Sequence, residues 1–215
     1  MEADSIDFGY NLALSYKPIK DLTLAATYRS KVDLTVKGDA ETKIMGTALN
    51  GNVKTQIPLP ASLALATAYT YEKTTAEFVF ERTYWSAYDS LDFQFGNNTV
   101  ETSSFGTKKA KTWKDVNAYR IGVSHQCTDN LKMMLGFAID KSPVPDSTLG
   151  FELPDSDAKL YSIGFEYKMT QNLKMGIAYL YDVKEERTVT NSAGVNGTFS
   201  DSTAHLVTAS FKYKF

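Results

Sequence analysis

Cysteine is almost missing from this 215-residue chain. Cys127 stands alone, which rules out an internal disulfide and leaves a free thiol in a short turn. Histidine is nearly as scarce. His125 and His205 have no cysteine or carboxylate at metal-ligand spacing, so neither a metal centre nor a cofactor is expected. Gly-rich phosphate loops and the G-x-S-x-G elbow of serine hydrolases do not occur. The chain therefore does not read as an enzyme. No run approaches the roughly 18 apolar residues of a transmembrane helix, and no window carries helical periodicity. A net charge of −2 leaves no basic face to neutralise phosphate, so nucleic acid is not an expected partner. Met1-Glu2-Ala3-Asp4 leads into no apolar h-region and does not read as a signal peptide.

Tyrosine and phenylalanine are abundant instead, with 13 and 12 against two tryptophans. Rings with a polar tip suit the girdles of a membrane interface. Their spacing matters more than their number. Val207, Ala209, Phe211, Tyr213 and Phe215 alternate with Thr208, Ser210, Lys212 and Lys214. A period of two puts these sets on opposite faces of one strand. Phe8 to Tyr16, Leu22 to Arg29, Leu131 to Asp140, Leu160 to Lys168 and Leu173 to Lys184 repeat the pattern. Each fits the roughly ten residues with which a tilted strand crosses a bilayer, one face to lipid and one to a wet lumen. Leu160, Met134 and Leu180 interrupt the polar set. The slightly negative mean hydropathy fits a barrel whose inner half is polar.

The alternation predicts about nine strands, at roughly 5–16, 22–37, 54–70, 75–92, 113–126, 131–140, 159–168, 173–189 and 202–215. Short connections (Lys17 to Asp21, Tyr71 to Thr74, Cys127 to Asn130, Thr170 to Asn172) take turns with long ones at about 38–53, 93–112, 141–158 and 190–201. That asymmetry is expected of an outer-membrane barrel with tight periplasmic turns and long extracellular loops. Antiparallel closure needs an even strand number. Nine strands and no signal peptide together point to the C-terminal portion of a single, larger β-barrel domain, residues 1–215.

Several segments say more. Phe8-Gly9-Tyr10-Asn11-Leu12, Tyr16-Lys17-Pro18 and Tyr28-Arg29-Ser30-Lys31-Val32 form one such group. Leu59-Pro60-Ala61-Ser62, Arg82-Thr83-Tyr84-Trp85-Ser86 and Trp113-Lys114-Asp115 follow. The most specific is Gly136-Phe137-Ala138-Ile139-Asp140-Lys141-Ser142-Pro143-Val144-Pro145-Asp146 with Leu153-Pro154-Asp155-Ser156-Asp157 behind it. In this order the chain resembles the FadL family, the outer-membrane transporters of long-chain fatty acids and hydrocarbons in Gram-negative bacteria, with its toluene-uptake branch. The resemblance implies an all-β, antiparallel transmembrane barrel of 14 strands with an N-terminal hatch. About nine of those strands are expected here, and the hatch and first strands are not. It also implies hydrophobic small molecules as ligands, outer-membrane lipid or detergent around the wall, and a monomer at full length. A structural or adhesive barrel whose loops bind a host or phage surface is the competing reading, and a lipid-modifying barrel enzyme a third.

Arg29, Glu77, Glu81, Lys114, Arg120, Glu166, Lys168, Asp182 and Lys184 fall on or near inward positions, where ion pairs within a wet lumen account for most of them. Lys114 and Arg120 share one face, beside Trp113 and Tyr119. A cation against an apolar wall suits a fatty carboxylate, pairing its charge while its tail is buried. The resemblance also links a lysine in this stretch to the ligand head group. Pro143 and Pro145 stiffen a long loop, and Asp146, Asp155 and Asp157 are expected to cap local Asx turns there.

Overall fold

A computed structural model describes residues 2–44, 47–96, 107–192 and 194–214. Nine strands make one antiparallel meander, each paired with its neighbours in sequence order. They are β1 (Asn11–Ile19), β2 (Leu22–Arg29), β3 (Ser62–Tyr71), β4 (Thr74–Thr83) and β5 (Val116–Gln126). β6 (Leu131–Asp140), β7 (Ala158–Lys168), β8 (Leu173–Lys184) and β9 (Thr203–Tyr213) complete the sheet, with β1 and β9 at its edges. Pro18 is tolerated in β1 because an edge strand has one side without a ladder to serve. Phe215, expected to end the last strand, lies outside the described residues, as does the middle of the 93–112 connection.

Register keeps the two faces separate across the whole sheet. Ile139, Phe137, Leu135 and Met133 of β6 sit opposite Lys159, Tyr161, Ile163 and Phe165 of β7, and opposite Tyr119, Ile121, Val123 and His125 of β5. This apolar face is open. Leu135 is 58% exposed, Ile121 53% and Ile177 50%. Such a surface is stable only against lipid. On the other face Arg29, Glu77, Glu81, Arg120, Glu166, Lys168, Asp182 and Lys184 stand among alanines, serines, threonines and glycines. Leu160, Leu180, Leu206 and Met134 also lie on that face, so the lumen wall carries an apolar patch.

Two short turns share one device. Thr128 Oγ1 accepts from the amides of Asn130 and Leu131, and Thr170 Oγ1 from those of Asn172 and Leu173. Each hydroxyl replaces a backbone acceptor and closes a Thr-x-Asn-Leu turn.

Several expected strands run too long. The 22–37 strand breaks at Ser30, whose amide donates to the Tyr10 carbonyl while its hydroxyl accepts from the Tyr10 amide, both at 2.9 Å. The 54–70 strand breaks at Pro60, which has no N–H to continue the ladder. Between these breaks the expected 38–53 loop is instead part of a long hairpin, Val32–Ile44 with Thr47–Leu59. Between Lys37 and Asn52 the residues of its arms are mostly polar and pair through the backbone, which a hydrophobic pattern does not reveal. Phe93–Phe95 adds to one arm and Glu2–Asp4 to the other. The strands expected at 75–92 and 173–189 stop at Thr83 and Lys184. The strands expected at 5–16 and 113–126 begin only at Asn11 and Val116.

The packed core is not in the sheet. Among the described residues Leu149, Val189 and Val195 are the largest fully buried side chains, and all three lie in the connections at one end of the wall. With Trp113 and Val144 they form one cluster, flanked by Trp85, Tyr88 and Phe199. The described parts of three connections, 84–96 with 107–115, 141–157, and 185–192 with 194–202, thus fold into a cap at the end of the wall opposite the short turns.

Candidate functional site

The cap is built around Trp113. Its indole meets the rings of Trp85 and Tyr88 edge-on, each centroid 4.9 Å away. The residue before it, Thr112, has φ 47°, a left-handed conformation that is costly for a β-branched side chain. The Thr112 and Lys111 amides both donate to the Asp89 carbonyl, at 2.9 and 2.7 Å, and hold this turn. The indole of Trp113 is thereby buried while Lys114, the next residue, is exposed. The Lys114 amide donates to the Pro143 carbonyl at 2.9 Å. Lys114 precedes β5 rather than lying within it. Beside it, Asp115 accepts from the Ser86 amide at 3.0 Å and from Arg82 at 3.2 Å. Burial pushes the Asp115 carboxyl up, but those hydrogen bonds and the Arg82 charge outweigh it and leave it below its ordinary value.

The four expected site residues do not form one cluster. Trp113 and Lys114 are together at the cap. Arg120 is on the inner face, where Nη1 donates to Glu81 at 2.7 Å. Tyr119 is on the outer face, its ring 5.6 Å from that of Phe80, and so is not beside Arg120. Two of the other inward charges are paired as expected: Lys174 with Glu166 at 2.7 Å and Lys184 with Asp155 at 2.5 Å. His125 and His205 are on the outer face, bonded to Thr74 and Tyr179, and among the described residues no group could hold a metal ion.

Asp146, Asp155 and Asp157 make few local turn bonds. They accept from more distant partners instead, Asp157 across its own connection, Asp155 both there and from the end of β8, and Asp146 from another loop. Arg187 donates to the Asp146 carboxylate through Nε at 2.9 Å and Nη2 at 2.6 Å. The same guanidinium reaches the carbonyls of Val144 at 2.6 Å and Asp155 at 2.7 Å. Asn191 donates to the carbonyls of Asp146 and Leu149. Lys141 and the Ser142 amide converge on Asp157. Burial raises the Asp157 carboxyl, yet these partners prevail and hold it low. Lys111, almost wholly buried, bonds Glu152 at 2.9 Å and lowers that carboxyl. Sequence reading missed Arg187, Asn191 and Lys111. Their partners are some 40 residues away, and no local pattern marks them.

A one-layer antiparallel wall with a lipid face, a polar face, short turns at one end and a folded cap at the other defines the class as an outer-membrane β-barrel wall. Residues 1–215 match the family of outer membrane protein transport proteins (OMPP1/FadL/TodX) throughout, and the chain belongs to that family. An outer membrane protein of Neisseria meningitidis serogroup B is 25% identical over 169 residues, covering 70% of this chain and 36% of the relative. The long-chain fatty acid transport protein of Escherichia coli K12 is 26% identical over 163 residues, again 70% of this chain and 36% of the relative. A Pseudomonas aeruginosa FadL homologue superposes with TM-score 0.74 at 17% identity, over 94% of this chain and 50% of its own. A mutant of the TodX monoaromatic hydrocarbon channel gives the same TM-score at 20% identity, over 98% and 50%. The chain thus spans about a third of the curated relatives' length and half of each solved structure.

Proposed function

We propose that this chain serves the passive passage of hydrophobic small molecules, long-chain fatty acids or hydrocarbons, across the outer membrane as part of a monomeric barrel. The observation that carries the reading is the two-faced wall. Its outer face is largely apolar along the middle of the strands, with polar residues such as His125 and Lys159 towards the strand ends, while its inner face combines paired charges with the patch of Leu160, Leu180 and Leu206. A lumen that only held water would have no use for such a patch, whereas an apolar ligand needs one. The fatty acid and hydrocarbon relatives support the same class of ligand.

Within it, Lys114 is the head-group cation for an anionic amphiphile. Its ammonium is exposed at the mouth of the wall, and the indole of Trp113 next to it anchors the backbone. Arg120, neutralised by Glu81, and Tyr119, turned to lipid, are secondary. A charge-assisted bond contributes about 1.5–3 kcal/mol, so Lys114→Ala in the whole protein should weaken laurate binding roughly ten- to a hundredfold. Dodecane should bind as before. Equal effects on both ligands, or none on laurate, would make Lys114 only part of the wall. Saturable uptake of labelled fatty acid or hydrocarbon tests the passage itself, and its absence would favour a structural barrel.

A further inference from the structure

We infer that Arg187 is the positioning residue for Lys114, acting through the Ser142–Asp146 strap; this rests on the head-group reading of Lys114. The Lys114 amide is bonded to the carbonyl of Pro143, so the lysine's place depends on where that strap lies. Pro143 and Pro145 have no amide with which to fix the strap to a ladder. Something else must hold it, and Arg187 does so from the opposite loop. Its fork binds the carbonyl of Val144 and the carboxylate of Asp146 on the strap, and the carbonyl of Asp155 beyond it. Nη1 also lies 3.4 Å from the Ser142 hydroxyl. The Arg187 side chain is 17% exposed, so the part-buried carbonyls of Val144 and Asp155 would lose their donor if it were removed, whereas the Asp146 carboxylate, 69% exposed, would turn to water. Val144 is buried against Trp113 in the same cluster, which ties strap and lysine together a second time.

Lysine cannot replace the fork, because an ammonium on a flexible stem does not span several fixed acceptors with one planar group. In the whole protein, Arg187→Lys should weaken laurate binding about tenfold and leave dodecane unchanged. Asp146→Asn, which keeps the fold's shape and removes one charged acceptor, should act in the same direction to a smaller degree. The Lys114→Ala, Arg187→Lys double variant should bind laurate no more weakly than Lys114→Ala alone. A positioning residue has nothing left to position once the lysine is gone, whereas a general loss of fold would lower both ligands and add to the first loss. Additive losses, or equal losses of laurate and dodecane, overturn the inference. If Lys114→Ala weakens laurate and Arg187→Lys does not, the inference alone falls. If Lys114→Ala changes nothing, the head-group reading falls and takes the inference with it.

Discussion

Between Ser162 and Ile163 the surroundings of β7 change from lumen to lipid, and the cost of a charge should change with them. Ile163 is central in its strand and lies opposite Leu135 and Tyr179 on the apolar face. Ser162 lies opposite Gly136 and Leu180 on the inner one. In the protein folded into lipid vesicles, Ile163→Arg should therefore destabilise by about 2–4 kcal/mol, the figure for a cation near the bilayer midplane, and Ser162→Arg by much less. Urea titration of both variants measures the difference, and equal costs would mean that the faces do not meet different solvents. The facing of these residues was legible in the sequence because the period of two is a local property of extended backbone. Pairing was less legible. That Arg120 faces inward follows from the pattern, but its bond to Glu81 depends on the register of β4 against β5.

At the scale of elements, strands and cap answer to different physics. The wall strands are held by long ladders, the cap by two short ladders, a small core and ion pairs. Glu152 and Asp157 have carboxyls below their ordinary range of about 4. A depressed folded value stabilises above the unfolded value and loses that contribution as pH falls through the folded one. Lys141 is raised by its hydrogen bond and charge attraction to Asp157, so its contribution is present below about pH 10.4 and lost as pH rises through the folded value. The cap should hold between these limits and loosen below about pH 4. Trp85 and Trp113 are the only two tryptophans and both lie in the cap, so their fluorescence reports on it selectively. We expect an acid transition in that signal while the β circular dichroism persists. Simultaneous loss of both would mean that cap and wall are one cooperative unit.

At the scale of the molecule, nine strands in a meander leave β1 and β9 as edges of the same sheet. Running in the same direction, they cannot pair as neighbours in an antiparallel ladder. Each unpaired backbone group left in lipid costs several kcal/mol. A polypeptide of these 215 residues, produced alone in detergent, should therefore migrate identically on a gel whether boiled or not. Faster migration of the unboiled sample, the sign of a closed barrel, would refute this.

The nine strands of the wall, their two faces, the alternation of short and long connections and the family resemblance were all legible in the sequence by itself. All of these rest on local periodicity or on the order of short segments, which survive without coordinates. Only the folded chain shows that the described parts of the long connections are ordered by pairing and packing. One is a polar hairpin paired through its backbone, and three others share a core of Trp113, Val144, Leu149, Val189 and Val195. It also separated Tyr119 from Arg120 and brought Arg187 to a strap about 40 residues away. Backbone pairing between polar arms and contacts between distant loops leave no period in a sequence, because neither requires any particular residue at a fixed spacing.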